Sequence, residues 1–352
     1  MHISEIDPNF KVDTQNAREG LKIYNVLSDP FRIYGVFHDG KQYRRLPASV
    51  AEQANPGVVS LATNTAGGRV RFVTDSPYIY LKPMMPNDSE WMHMPGTNSS
   101  GFDLYVFENG RYTPYKTFVP PYNFVDTYDG VVDFWGEPRE RLIMIDFPCY
   151  GQVYDLFIGL KEGCVLRSAP DYKYEKPVVY YGSSITQGGC ASRPGTCYQA
   201  VLERRFDLNY INLGFSGSGR GEQAVAEYIA SLDLSIFVMD YDHNAPSLEH
   251  YKATHEPFYK TVRAAHPDIP VIFMTRPKTK NHLSDNEFER IKIARQTYNR
   301  AKRRGENVYF IPGYELMKLC GDDGLVDFHH PTDLGFKSMA DRLGSVLAKI
   351  LK

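Results

Sequence analysis

Five short apolar segments in the second half of the chain constrain the fold most. They recur at intervals of roughly 25 to 40 residues: Val178–Tyr181, Tyr210–Leu213, Ile236–Met239, Val271–Met274 and Val308–Ile311. Segments with helical periodicity separate or follow them: Tyr198–Phe206, Glu222–Ser231, Leu248–Ala265, Phe288–Lys302 and Thr332–Leu351. Continuous apolar strands that alternate with amphipathic helices are typical of a parallel sheet covered on both faces. The second half is therefore predicted to be an α/β domain with five parallel strands.

The chain before about residue 165 shows a different pattern, with short strand-like segments between turn signals. Branched and aromatic residues, which strands favour, are concentrated in Arg69–Phe72, Tyr78–Leu81, Leu142–Phe147 and Val153–Ile158. Two hairpins are indicated by Asn109-Gly110 and Asp39-Gly40. The only helical signal is a possible turn near Ala48–Gln53. We predict an all-β sandwich over residues 1–170 and the α/β domain over 171–352.

Charge and length exclude several classes of function. The 352 residues suffice for about two domains with their own cores. The net charge of −2 gives no basic excess, so no nucleic-acid partner is expected. No apolar run approaches the ~20 residues that span a bilayer, so no membrane partner is expected. The first residues lack the features of a signal peptide, which predicts a cytoplasmic protein unless a leader was removed.

The cysteines predict neither a disulfide scaffold nor a metal site. An odd count of five in a chain of this length is unlike a disulfide-rich domain. Cys190 and Cys197 could pair, but structural or free thiols are favoured. Without a CxxC pair or histidines at metal spacing, no metal and no cofactor is predicted. The cysteines are Cys149, Cys164, Cys190, Cys197 and Cys320.

Polar residues follow four of the apolar segments, where the carboxyl ends of parallel strands form a ligand-binding edge. Gly182–Gly189 follows the first segment, Gly214–Gly219 the second and Asp240–Asn244 the third. Asp327–Pro331 comes after the fifth. Together they offer a hydroxyl, a glycine-rich backbone, an amide and an acid–imidazole pair. That set is what acyl transfer needs: a nucleophile, oxyanion donors, a base and a group that orients the base.

The order of these segments resembles the SGNH, or GDSL, hydrolase superfamily over about residues 176–352. The resemblance implies that Ser184 is the nucleophile, His330 the base and Asp327 its partner. Gly217 and Asn244 match the second and third blocks, so they and the Ser184 amide are implied to form the oxyanion hole. The spacing Asp327-x-x-His330-Pro331 is the most specific match.

An upstream match extends the resemblance to nearly the whole chain. Gly101–Tyr105, with the sequence GFDLY, is similar to the GxDLY motif of a β-domain that precedes one branch of this superfamily. The resemblance implies a three-layer α/β/α hydrolase domain after a jelly-roll-like sandwich. It also implies a serine esterase without cofactor or metal that acts on a small-molecule or carbohydrate ester, with acetyl as the expected acyl group. Ser183, Asp242 and Ala245 depart from the usual blocks, where Asp, Gly and Asp often stand.

Each candidate residue also has a structural interpretation. Ser184 could cap a helix, Gly217 could be a turn glycine, and Asn244 could be a turn or capping residue. His329 neighbours His330, but the three-residue spacing from Asp327 favours His330 as the base. Pro331 disfavours helical geometry at His330 and so keeps it in the loop.

Alternatives for the function and for the remaining candidates stay open at this point. The chain could be a lipase or thioesterase, or a carbohydrate-binding protein on an inactive hydrolase scaffold. Arg276 could contact substrate, although a solvated arginine is favoured. Trp91, Tyr105 and Trp135 could form a sugar platform, although packing is favoured. The sequence determines neither the natural substrate nor the oligomeric state.

Overall fold

Two antiparallel sheets packed face to face form the first half of the computed structural model, which describes residues 18–87 and 91–352. One sheet has the order β1-β11-β6-β9, and the other β12-β5-β10-β7-β8 with β2 paired to β5. Apolar side chains from both sheets form one buried core between them. The predicted β-sandwich is confirmed, although this half also contains three short helices. The strands are β1 (Leu21–Asn25), β2 (Arg32–Tyr34), β3 (Phe37–His38), β4 (Tyr43–Arg44), β5 (Arg69–Thr74), β6 (Tyr78–Met84), β7 (Phe102–Glu108), β8 (Arg111–Phe118), β9 (Gly130–Asp133), β10 (Arg141–Asp146), β11 (Asp155–Lys161) and β12 (Leu166–Ser168).

Both predicted hairpins form. Asn109 and Gly110 join β7 to β8 with φ values of 54° and 77°, the left-handed conformations that a two-residue turn of the primed type requires. The Asp39 carboxylate accepts hydrogen bonds from the N–H groups of Lys41 and Gln42 and so closes the turn between β3 and β4. Local turn chemistry therefore determines these pairings.

Five parallel strands in the order β14-β13-β15-β16-β17 form the second half, as predicted. Alternate side chains of the strands enter two buried cores, one on each face of the sheet, and helices cover both faces. The result is a three-layer α/β/α domain. The strands are β13 (Tyr174–Gly182), β14 (Leu208–Gly214), β15 (Ile236–Asp240), β16 (Val271–Met274) and β17 (Val308–Ile311). The helices of the described chain, in order, are α1 (Ala48–Ala54), α2 (Pro56–Leu61), α3 (Gly96–Ser99), α4 (Ser184–Gln187), α5 (Tyr198–Phe206), α6 (Gln223–Ser231), α7 (Leu248–Ala265), α8 (Asp285–Arg303), α9 (Gly313–Leu316) and α10 (Asp333–Ile350).

Helix α8 begins earlier than its apolar period indicates. The Ser284 side chain accepts a hydrogen bond from the Glu287 N–H, and the Glu287 carboxylate accepts one from the Ser284 N–H. This capping box satisfies two N–H groups that have no partner inside the helix. The helix therefore starts at Asp285 rather than at Phe288. No helix in the described part of the chain is long and apolar enough to cross a membrane.

Helices α1 and α2 lie in the first half of the sequence but pack on the second. Ala51 and Val58 are fully buried in the same apolar core as Val179 and Phe237 of the parallel sheet. The possible turn near Ala48–Gln53 is thus a helix, and it covers the sheet rather than the sandwich. Because packing runs across the two halves in this way, the domain boundary between residues 170 and 171 stays a prediction.

The motif Gly101–Tyr105 forms part of the contact between the two halves. The Asp103 carboxylate is fully buried and accepts hydrogen bonds from Arg193 Nη1 at 2.7 Å and from the Gly195 N–H at 2.8 Å. Arg193 Nη1 also donates to the Tyr105 hydroxyl at 2.7 Å. Tyr105 is therefore an interface residue and not part of a sugar platform. Strand β7 thus holds the loop that follows α4.

A buried ion pair forms a second contact between the halves. Arg69 of β5 lies 3.1 Å from the Glu203 carboxylate of α5, and neither side chain is exposed to solvent. The Arg69 guanidinium also donates to the Tyr210 carbonyl and lies 4.1 Å from the centre of the Tyr210 ring. Removing one member of such a pair leaves a buried charge without its partner.

We expect Arg69→Met to lower the free energy of unfolding by about 3–5 kcal/mol, because Glu203 would stay buried without its ion-pair partner. Urea unfolding followed by circular dichroism measures this change. Arg139→Met is the matched control, since Arg139 pairs with Glu108 at the exposed surface and should contribute only about 0–1 kcal/mol. Equal losses in the two variants would contradict the assignment.

Candidate active site

Ser184 is the first residue of the short helix α4, and only Ser183 separates it from the end of β13. The capping hydrogen bond of this helix comes from Ser183, whose hydroxyl accepts from the Ile185 N–H at 3.2 Å. The Ser184 hydroxyl is therefore not used for capping. Its Oγ lies 2.8 Å from Nε2 of His330, within hydrogen-bond distance.

A closed turn positions the acid and the imidazole. The Asp327 Oδ2 lies 2.8 Å from His330 Nδ1, and its Oδ1 accepts hydrogen bonds from the N–H groups of His329 and His330. The Val326 N–H donates to the His330 carbonyl at 2.9 Å and closes the turn. One carboxylate thus orients both the ring and the backbone of His330, while His329 is exposed and its Nδ1 contacts Arg276 Nη2 instead.

The charges in this turn suit a neutral imidazole beside an ionised acid. Partial burial opposes ionisation of Asp327, but the hydrogen bonds from the backbone and ring of His330 outweigh it and lower the Asp327 pKa to about 2. Burial lowers the pKa of His330 below its usual value of 6.5, although the Asp327 hydrogen bond acts in the opposite direction. Because an ionised carboxylate only accepts hydrogen bonds, we infer that the proton is on Nδ1 and that Nε2 faces Ser184 as an acceptor.

The other predicted residues lie on loops that are bonded to one another beside α4. The Ser216 N–H donates to the Gln187 Oε1 at 3.0 Å, which ties the Gly217 loop to α4. Asn244 Nδ2 donates to the Phe215 carbonyl at 3.1 Å, which joins the loop after β15 to the Gly217 loop. Within the described residues, the N–H groups of Ser184 and Gly217 donate to no protein acceptor. Gly217 has φ of +64°, with open space where a side chain would be.

Arg276 is a functional candidate whose environment the sequence did not reveal. It follows β16 but is only 9% exposed, so the expectation of a solvated arginine is wrong. Its Nη2 donates to the Phe328 carbonyl at 2.9 Å, and its Nη1 lies 3.0 Å from the Glu287 carboxylate. Its backbone N–H donates to Asp242 at 3.1 Å. Arg276 thus connects the turn that carries His330 to α8 and to the loop that carries Asn244. Its position at the carboxyl edge of the sheet was the only signal in the sequence.

Residues of the first half border the site. The Trp91 ring lies 5.2 Å from that of Tyr150, whose hydroxyl donates to the Ser184 carbonyl at 3.3 Å. The His93 ring lies 5.6 Å from the His330 ring. Trp135 is 87% exposed and has no ring contact with these residues. The segment around Trp91 and His93 therefore forms one wall of the site.

The cysteines near the site are free thiols. Cys190, which follows α4, is buried and does not pair with Cys197. Cys197 Sγ instead lies 3.5 Å from Cys149 Sγ, across the contact between the two halves. Burial raises the pKa of the Cys190 thiol to about 12, and the nearby Asp327 carboxylate acts in the same direction.

A cavity of about 380 Å³ adjoins the catalytic turn. Its lining residues include His243 and His329, the chain neighbours of Asn244 and His330. Apart from Leu283 and Ile291, its lining residues are polar or charged. Such a lining favours a polar group over a long alkyl chain.

Comparison with known protein families shows which family the chain belongs to. Residues 175–348 match the GDSL-like lipase/acylhydrolase family, and residues 21–166 match the family described as the N-terminus of Esterase_SGNH_hydro-type. The chain belongs to the SGNH/GDSL hydrolases, in the branch with an N-terminal GxDLY domain. The resemblance seen in the sequence is thereby confirmed, and the family supports esterase activity.

Solved structures share the whole two-part architecture. A protein described as a GDSL-like lipase from Bacteroides ovatus is 28% identical, with a TM-score of 0.84 over 94% of this chain and 98% of its own. The salicylyl-acyltransferase SsfX3 from a tetracycline biosynthetic pathway is 18% identical, with a TM-score of 0.74 over 95% and 98%. An acetyl xylan esterase from the rumen bacterium Butyrivibrio proteoclasticus is 13% identical, with a TM-score of 0.60 over 94% and 98%. No curated protein matches the sequence.

We expect Arg276→Met to lower kcat for ester hydrolysis by on the order of 10- to 10²-fold with little change in KM, because the turn that places His330 loses its anchor. Steady-state kinetics and the unfolding midpoint are measured together. Lys278→Met is the matched control, since Lys278 binds the same Glu287 carboxylate without contacting Phe328. An equally large loss of kcat in Lys278→Met would show that kcat depends on the ion pair with Glu287 and not on the hydrogen bond from Arg276 to the Phe328 carbonyl.

Proposed function

We propose that this protein is a serine esterase that hydrolyses small acyl esters, with acetyl esters of carbohydrates as its substrates. One observation carries the proposal: the continuous hydrogen-bonded series from Ser184 Oγ through both ring nitrogens of His330 to Asp327. A nucleophile bonded to a base, which is in turn oriented by an acid, is the arrangement that acyl transfer requires.

In the proposed reaction, Ser184 Oγ attacks the ester carbonyl while His330 Nε2 takes its proton. Asp327 stabilises the imidazolium that forms. The tetrahedral intermediate then collapses, and His330 gives the proton to the departing alcohol. Water enters, His330 again acts as base, and attack on the acyl-enzyme releases the carboxylic acid and restores Ser184.

The oxyanion of the tetrahedral intermediate would be held by three N–H donors: the amides of Ser184 and Gly217 and the Asn244 side chain. The absence of protein acceptors for the two amides among the described residues supports this role. Only one of the two Asn244 amide hydrogens is needed for the Phe215 carbonyl, which leaves the other for the oxyanion. One such donor is typically worth about 3 kcal/mol of transition-state stabilisation.

Two features support a polar substrate with a short acyl group. Nine of the eleven residues that line the cavity beside the turn are polar or charged, and the segment around Trp91 offers an aromatic surface at the edge of the site, as sugar-binding sites often do. A family two carbohydrate esterase and an acetyl xylan esterase are also among the proteins that share this fold.

We expect Ser184→Ala to lower kcat on a chromogenic acetate ester by on the order of 10⁴- to 10⁶-fold, because the nucleophile is removed and its partners cannot replace it. Ser345→Ala, on the exposed surface of α10, is the control for a serine substitution without effect. Equal rates for wild type and Ser184→Ala would remove Ser184 as nucleophile.

The preferred substrate is tested with wild type and Ser184→Ala. A series of acetyl, butyryl and octanoyl esters, followed by acetylated sugars, should give the highest kcat/KM for acetyl groups on a sugar. A preference for octanoyl esters would favour a lipase. Sugar binding without turnover of any ester would favour a carbohydrate-binding protein on an inactive scaffold.

The pH profile tests His330 as the base. His330 must be neutral to accept the proton, so kcat/KM should fall as the pH drops through its pKa in the free enzyme. Because burial holds that pKa below 6.5, we expect full activity at neutral pH and a half-maximal point below 6.5. A midpoint above 6.5, or a kcat/KM that does not fall at any acid pH at which the enzyme stays folded, would contradict the assignment.

A further inference from the structure

Three side chains that commonly bind metals meet at the active site from distant parts of the chain. His93 comes from the wall formed by the first half, Cys190 follows α4, and His330 lies in the catalytic turn. Their ligand atoms all lie within 4.8 Å of one another. Cys190 is buried, His330 is partly buried and His93 is exposed, so the group opens to solvent on the His93 side.

We propose that His93, Cys190 and His330 form a Zn²⁺ site, and that Zn²⁺ bound there blocks hydrolysis reversibly. Two imidazoles and one thiolate are a ligand set that Zn²⁺ binds with tetrahedral geometry, with a fourth position left for water or a hydroxyl. The inhibitory effect rests on the proposed function, since it requires His330 to be the base. Metal binding itself does not require this.

The geometry needs only a small adjustment. Zn–N bonds of about 2.0–2.1 Å and Zn–S bonds of about 2.3 Å place tetrahedral ligand atoms roughly 3.5 Å apart. The His93 side chain is exposed, so it is free to move toward the other two ligands by rotating about its side-chain bonds. The Cys190 thiol gives up its proton to solvent as the Zn–S bond forms.

The hydrogen bonds of His330 in the active site also give it the tautomer that binds a metal ion. A histidine that binds a metal usually donates its other ring N–H to a carboxylate, which fixes the tautomer. Asp327 already receives the Nδ1–H of His330 in this way, so the lone pair that can bind a metal is the one on Nε2. Ser184 Oγ lies 2.8 Å from that same nitrogen. Zn²⁺ and the serine proton therefore compete for one lone pair, and a bound ion leaves Ser184 without its base.

The first test is inhibition by Zn²⁺ of acetate ester hydrolysis, with each variant normalised to its own rate without zinc. We expect wild type to be inhibited and to recover on addition of a chelator. Cys190→Ala and His93→Asn should each need at least about tenfold more Zn²⁺, the loss that even an outer-shell partner of a metal site typically causes. His93 is exposed, so its variant serves if Cys190→Ala folds poorly. Cys164→Ala and His250→Asn are matched controls that should behave as wild type, since neither residue belongs to the cluster. The same zinc dependence in all five proteins, or no inhibition of wild type, would overturn the proposal.

The second test is independent of activity. Co²⁺ replaces Zn²⁺ as a spectroscopic probe, because a thiolate ligand gives cobalt a charge-transfer band in the near ultraviolet. We expect this band in wild type and in Ser184→Ala, and its loss in Cys190→Ala. The band without ester turnover would support the metal site and refute the esterase. Ester turnover without the band would refute the metal site alone.

Discussion

The buried carboxylate of Asp103 is the constraint on which the arrangement of the site depends. A buried carboxylate is costly unless donors surround it, and two of its donors, Arg193 and the Gly195 N–H, come from the other half of the chain. The loop that supplies them follows directly on α4, whose first residue is Ser184. The sandwich therefore acts as a support that holds the position of the loop after the nucleophile.

Further contacts extend this support to the base. The Thr97 hydroxyl donates to the Ser192 carbonyl, and the Ser192 N–H donates to Asp333 at 2.8 Å. Asp333 opens α10 directly after the turn that carries His330. Arg276 anchors the same turn through the Phe328 carbonyl. A histidine on a surface loop is thus fixed by two separate sets of contacts, which is how a loop residue can hold a hydrogen bond of 2.8 Å to a serine.

The proposed esterase and the proposed zinc site use one chemical property of His330. Its lowered pKa keeps the imidazole neutral, and Asp327 fixes the proton on Nδ1. The resulting lone pair on Nε2 can take a proton from a serine or bind a metal ion. Whether Nε2 takes the serine proton or binds a metal ion then depends on whether an ion is bound by Cys190 and His93.

Local patterns in the sequence determined much of this protein. Apolar runs and helical periods predicted the parallel strands and most helices of the second half, because each pattern reflects the burial of neighbouring residues. The spacing Asp327-x-x-His330 placed the acid beside the base, since three residues suffice for one tight turn. Only the tertiary structure decided that α1 and α2 cover the parallel sheet, that Asp103 joins the two halves, and that Arg276 holds the catalytic turn. It alone brought His93 and Cys190 to His330. These contacts join residues far apart in the chain, and the partner of a buried charge or a metal ligand leaves no period or spacing in the sequence around it.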